Sequence, residues 1–125
     1  MNKSIIRDIF NDELKIIDKF NQEISQLTVN VLHDLADDGF WVNSASKTGV
    51  HHPKTSNVYG GNIIHTKHAF YIALTLISAD PIFLNLHNTV ACILSSILLH
   101  DILKFSNTLE SHGTIAANKI LIYVS

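Results

Sequence analysis

The chain predicts an all-α fold, and three observations carry that reading. Apolar residues recur at intervals of three and four through the first third of the sequence, an apolar run from Val90 to Leu99 reads as a buried helix, and no stretch survives inspection as a strand. Ile5, Ile6, Ile9 and Phe10, then Leu14, Ile16, Ile17 and Phe20, then Ile24, Leu27, Val31, Leu32 and Leu35 keep helical spacing. Residues Ser4 to Asp37 are therefore expected to form one long helix, or two with a break near Asn11-Asp12, with Gly39 as the stop.

From Phe40 to Gly61 the period dissolves among Asn43, Ser44, Ser46, Gly49, Pro53, Ser56, Asn57, Gly60 and Gly61. A loop this long is uncommon in a small domain unless it has a task, so residues 40–61 are read as an active-site loop anchored by Trp41, Val42 and Tyr59. Asn62 is expected to cap a helix through Ile63, Ile64, Ala69, Ile72, Ala73, Leu76 and Ile77. Asp80-Pro81 pairs a capping side chain with proline at a first helical position and opens a short turn to Leu86. The buried helix starts at Asn88 or Thr89 and carries His100-Asp101 at its end. Ser106-Asn107-Thr108 breaks the chain again, and a last helix spans about Ser111 to Tyr123.

With 125 residues the chain is one domain: N-terminal helices over 1–39, the loop over 40–61 and core helices over 62–125. A hydrophobic share of 46% against 16% charged residues excludes a disordered tail and fits a compact, apolar globule. The formal charge of −2 offers no electrostatic case for nucleic acid along a long footprint or for an acidic membrane. Cys92 is the one cysteine, which excludes an intramolecular disulfide, and its place in the apolar run predicts a buried thiol in a reducing compartment. The charged start, Lys3 to Asp8, does not read as a signal peptide, and no run reaches the ~18 apolar residues of a membrane span, so a cytoplasmic protein is expected. Ile120 to Val124 ends the sequence in apolar residues, which predicts docking into the core or onto a partner, with a homo-oligomer as one outcome and a domain continuing beyond Ser125 as another.

Eight histidines beside one methionine and one tryptophan direct attention to metal or proton chemistry. His65 lies early in the helix after Gly60-Gly61, His100-Asp101 closes the buried helix, and His112 opens the next. Imidazole and carboxylate both bind divalent ions, and three helix ends converging in a bundle can assemble them around one or two such ions. An ion held by three protein ligands acidifies bound water and polarises a phosphoryl oxygen, so hydrolysis of a phosphate ester or anhydride is the natural chemistry. His68 shares a face with His65 and reads as a partly exposed side chain, while His33 and His87 read as structural.

The order His65, His100-Asp101, His112-Gly113 resembles the HD superfamily of metal-dependent phosphohydrolases, an all-helical fold. Leu98-Leu99-His100-Asp101-Ile102-Leu103-Lys104 is similar to the family run "LLHDIGK", with Leu103 in place of glycine. Ser44-Ala45-Ser46 through His51-His52-Pro53, then Tyr59-Gly60-Gly61 and His65-Thr66, resemble the loop of phage-type HD proteins related to HD exoribonucleases. The likeness covers about Phe40 to Ile120. It implies an HD-type helical bundle in which His65, His100 and Asp101 hold a metal, Asp101 can bridge two ions, and His112 serves a second. It further implies Asp101 and Lys104 as catalytic residues, with His52 and Lys67 near the substrate phosphate. The implied reaction is hydrolysis of a phosphomonoester or phosphodiester of a nucleotide-like substrate, a small nucleotide or a nucleic-acid end, by hydroxide on Mn, Co, Ni, Zn, Mg or Fe. The family also uses an aspartate from a later helix, whereas Glu110 is the one acidic residue after Asp101 here. That departure motivates the alternative of a catalytically degenerate HD module binding a nucleotide or a protein partner.

Overall fold

The computed structural model describes residues 1–43, 60–103 and 117–122. Those residues form an all-α bundle, and no strand occurs among them. Three helices open the chain: α1 (Lys3–Ile9), α2 (Asn11–Phe20) and α3 (Gln22–Leu35). The expected single or once-broken helix is therefore broken twice. At the first break Phe10 leaves helical geometry (φ −106°, ψ 30°), although its N–H still bonds to the Ile6 carbonyl. At the second, Asn21 adopts extended backbone and its Oδ1 accepts the Ile24 N–H at 3.0 Å, a side-chain cap that starts α3 afresh. Asn21 Nδ2 also donates to Asn88 Oδ1 at 2.8 Å, fixing this corner to a distant helix.

Gly39 is not the stop that the sequence predicts. α3 ends at Leu35, Ala36 is extended, and the Asp37 carboxylate caps a short α4 (Asp38–Val42) by accepting the Phe40 N–H at 2.7 Å. Gly39 lies inside that helix, and the first residues of the expected loop belong to it, with Phe40 fully buried. Residues 44–59 lie outside the described part, but both ends of that segment are tied together. Gly60 N–H donates to the Val42 carbonyl at 2.7 Å and Asn62 N–H to the Asn43 carbonyl at 3.0 Å.

α5 (Gly61–Ala79) starts from Gly60, not Asn62. Gly60 sits at φ +72°, a left-handed conformation that glycine adopts without a Cβ penalty. Asn62 is instead fully buried within the helix and its Nδ2 donates to the Phe40 carbonyl at 3.4 Å. Asp80 then caps a 3-10 turn, Pro81–Phe83, by accepting the Ile82 N–H at 3.1 Å, as the Asp-Pro pair predicts. α6 (His87–Leu99) follows, beginning at His87, whose ring meets Phe20 edge-on with centroids 5.7 Å apart. Residues 117–122 are helical again. The predicted break at Ser106-Asn107-Thr108 and the start of the last helix at Ser111 lie outside the described residues.

α5 and α6 pack against each other, and α2 and α3 pack on α6. Between them lie Ile6, Phe10, Leu14, Ile17, Val29, Val31, Leu32, Phe40, Phe70, Val90, Leu94, Leu98 and Ile102, each at most 5% exposed. Removing such side chains from water drives the assembly at about 25 cal/mol per Å² of apolar surface. Polar rivets cross this core where two helices bring partners together. Thr28 Oγ1 and Ser95 Oγ are 2.6 Å apart between α3 and α6, and Ser25 Oγ donates to the Leu14 carbonyl at 3.2 Å. Cys92 departs from expectation: it is exposed, because α6 turns Val90, Ala91, Leu94 and Leu98 inward and leaves Cys92 and Ser96 on the outer face. No helix among the described residues is long and apolar enough to cross a membrane.

Candidate metal centre

His65 stands on the second turn of α5, and His100 occupies the capping position at the end of α6, with Asp101 in the turn beyond it. Adjacent packing of α5 and α6 brings the three together. One ligand atom of each lies within 4.8 Å of the others. The turn is held from both sides: the Ile102 side chain is fully buried, and its carbonyl accepts the Asp37 N–H at 2.9 Å. Asp101 is thereby fixed at the rim of the core, 6% exposed, while both imidazoles are half-buried.

The hydrogen bonding of His100 settles which of its nitrogens can coordinate. Nδ1 is 2.6 Å from the Ile97 carbonyl, an oxygen that only accepts, so Nδ1 carries the proton. That carbonyl belongs to the last turn of α6, where the helix itself leaves acceptors unused. In the neutral ring Nε2 then presents a lone pair, and it faces Asp101 Oδ2 at 3.1 Å. His65 Nε2 faces the same oxygen at 3.5 Å. The two rings are tilted by 57° with centroids 5.8 Å apart, so both edges reach toward one carboxylate.

Each ring can meet the carboxylate through a proton on its own Nε2, and a divalent cation placed among the three would draw both rings and the carboxylate at once. Bonds of 2.0–2.2 Å in tetrahedral array hold their ligand atoms about 3.3–3.6 Å apart, close to the 3.1 and 3.5 Å that separate the two rings from Asp101 Oδ2. The end of α6 adds its partial negative charge to the same point, which also favours a cation. The donor set, two imidazole nitrogens and one carboxylate oxygen, therefore fits a divalent transition ion.

Lys67 is not drawn into this group. Two residues along a helix is about 200° of rotation, so Lys67 projects from α5 away from His65. Its Nζ lies 3.6 Å from Glu13 Oε1 and 5.7 Å from the centre of the Phe10 ring. Glu13, buried at 2% exposure on α2, also accepts a hydrogen bond from the Tyr71 hydroxyl at 2.5 Å. Burial of that hydroxyl, then the bond to Glu13 and its charge, push the Tyr71 pKa up to about 12. The sequence pattern shows no sign of this buried link, because Glu13 follows Asp12 in an ordinary amphipathic helix. His68 is exposed, and His33 contacts the neighbouring Asp34 carboxylate at 2.5 Å. His52, Lys104 and His112 lie outside the described residues. No protein-family model matches the chain, and no curated protein or solved structure matches it either.

Proposed function

We propose that the protein is a metal-dependent phosphohydrolase of HD type, with His65, His100 and Asp101 holding a divalent ion. The observation that carries this reading is the shared target of the two imidazoles: both Nε2 atoms face Asp101 Oδ2, and His100 is oriented for coordination by its Nδ1–H bond to Ile97. An ion held there supplies Lewis acidity to a phosphoryl oxygen and acidifies water. The protein's own part is positional. Ile97 holds the His100 tautomer, the Asp37–Ile102 backbone bond holds the turn that carries Asp101, and α5 presents His65 from the opposite side. In the net reaction water oxygen bonds to phosphorus, the ester P–O bond breaks, and the alcohol leaves with a proton. His112 as a ligand of a second ion, with Lys104 and His52 near the phosphate, are part of the same proposal and rest on sequence order.

The test is hydrolysis of 4-nitrophenyl phosphate and bis(4-nitrophenyl) phosphate across Mn, Co, Ni, Zn, Mg and Fe(II), with and without chelator. We expect metal-dependent turnover that falls by about 10²–10³ in Asp101→Ala, the scale of losing a Lewis acid from the transition state. Equal rates in the two proteins refute it. The lack of an aspartate after Asp101 favours a second reading, a degenerate module that binds a nucleotide or a protein. Saturable metal or nucleotide binding with no turnover under any ion would select it.

A further inference from the structure

Beside the metal centre a groove of about 540 Å³ runs between α3, α6 and the helical residues 117–122. Leu27 and Val31 from α3, Cys92 and Ser96 from α6, Ile120 and His100 are among the residues that line it. None of the described residues lining it is charged. Its hydroxyls already have partners within the protein: Ser95 Oγ pairs with Thr28 Oγ1 at 2.6 Å, and Ser96 Oγ donates to the Cys92 carbonyl at 2.7 Å. An apolar occupant gains from burial here, whereas a charged one meets no charged side chain among the described lining residues. A groove of similar size, about 520 Å³, lies between α1, α2 and α3, but Arg7, Lys15, Asp18 and Glu23 line it and no metal-centre residue does. The apolar groove combines ligand-site size with a lining residue, His100, that is itself a candidate metal ligand.

We propose that this groove seats the uncharged, largely apolar alcohol portion of a phosphate ester whose phosphate lies at the metal centre. This rests on the phosphohydrolase reading and narrows it, so that esters of neutral aromatic or aliphatic alcohols are preferred over esters of small polar or charged ones. His100 is the point of continuity, since it lines the groove and its Nε2 stands 3.1 Å from Asp101 Oδ2.

Two measurements on the full chain test it. The first compares kcat/KM for 1-naphthyl phosphate and glycerol 2-phosphate with the preferred metal, in the unaltered protein and in Leu27→Asp. Leu27 is 40% exposed, so the change places a charge in the groove wall without opening the core. Preference for the naphthyl ester is expected to fall about tenfold or more in the variant, mainly through KM; a preference that is absent, or that survives the substitution, overturns the proposal. The second uses Cys92, the only thiol in the sequence, as a reporter that needs neither metal nor turnover. 1-Naphthol at saturating concentration is expected to slow N-ethylmaleimide modification of Cys92 several-fold, and more weakly in Leu27→Asp. Unchanged modification overturns the groove as a binding site. Protection that instead grows with protein concentration assigns the groove to a second copy and overturns the substrate role. Failure of the phosphohydrolase reading shows separately, as no turnover of either ester by the unaltered protein, and the thiol result still decides the groove.

Discussion

Replacing Asp101 by asparagine keeps the side chain's shape and removes the one negative charge among the three candidate ligands. An ion that binds only the folded state stabilises it by RT ln(1 + [M]/Kd), about 2.7 kcal/mol at a hundredfold excess over Kd. For a chain of 125 residues, an unfolding entropy near 2.1 cal/mol/K per residue gives about 0.26 kcal/mol per degree, so that binding raises Tm by about 10 °C. Loss of a residue that merely orients a ligand weakens metal binding about 10–100-fold, so loss of Asp101 itself reaches at least the upper figure. At the same ion concentration the variant then gains about 0.4 kcal/mol, or about 2 °C. The assay is thermal unfolding of chelator-treated protein, followed by far-UV circular dichroism, with each ion titrated in turn. Shifts of equal size in the two proteins, or no shift with any ion at millimolar concentration, refute His65, His100 and Asp101 as a joint metal site.

Three further outcomes follow from the packing. Tyr71 holds its proton up to about pH 12 in the folded protein against about 10 when unfolded, so its contribution to stability is fully present below pH 10 and is lost between about 10 and 12; Tyr71→Phe is expected to flatten that part of the urea-stability profile, and an unchanged slope would count against the buried bond to Glu13. Phe70→Ala removes a fully buried ring from α5 and is expected to cost about 3–5 kcal/mol by urea denaturation, with a loss below 1 kcal/mol contradicting its central place. Asn21→Ala deletes both the cap of α3 and the bond to Asn88 and is expected to cost about 1–2 kcal/mol, whereas Asn21→Asp, which keeps a capping oxygen, is expected to recover part of it.

The helical class was legible because apolar spacing and burial agree along α2, where Leu14 and Ile17 are buried, and because the apolar residues of α5 and α6 are too many and too continuous to alternate as a strand does. The break at Asn21 was not, since Phe20 and Ile24 continue the apolar spacing across it and only the extended backbone of Asn21 reveals the cap. Cys92 shows the opposite limit: in a run as apolar as Val90–Leu99 periodicity loses its direction, and packing on α2, α3 and α5 decides which side faces out. At the candidate site, the sequence order of His65, His100 and Asp101 suggested that helix ends would bring them together, and the structure places one ligand atom of each within 4.8 Å of the others. Lys67, expected near the substrate phosphate from its place in the motif, has its Nζ 3.6 Å from Glu13 Oε1 on α2, a pairing that residue order does not reveal. The role of the Ile97 carbonyl could not be read from residue identities, since any residue at that place in α6 supplies the same oxygen.

Two backbone bonds join Val42 to Gly60 and Asn43 to Asn62, and so link the end of α4 to the start of α5. A chain segment whose ends are already clasped can change length at small entropic cost, about 0.6 kcal/mol for each doubling. Changes of chain length between those bonds are expected to leave the junction of α4 and α5 in place, with His65 one turn beyond it. New recognition could thus be acquired between those bonds without moving His65, His100 and Asp101 apart.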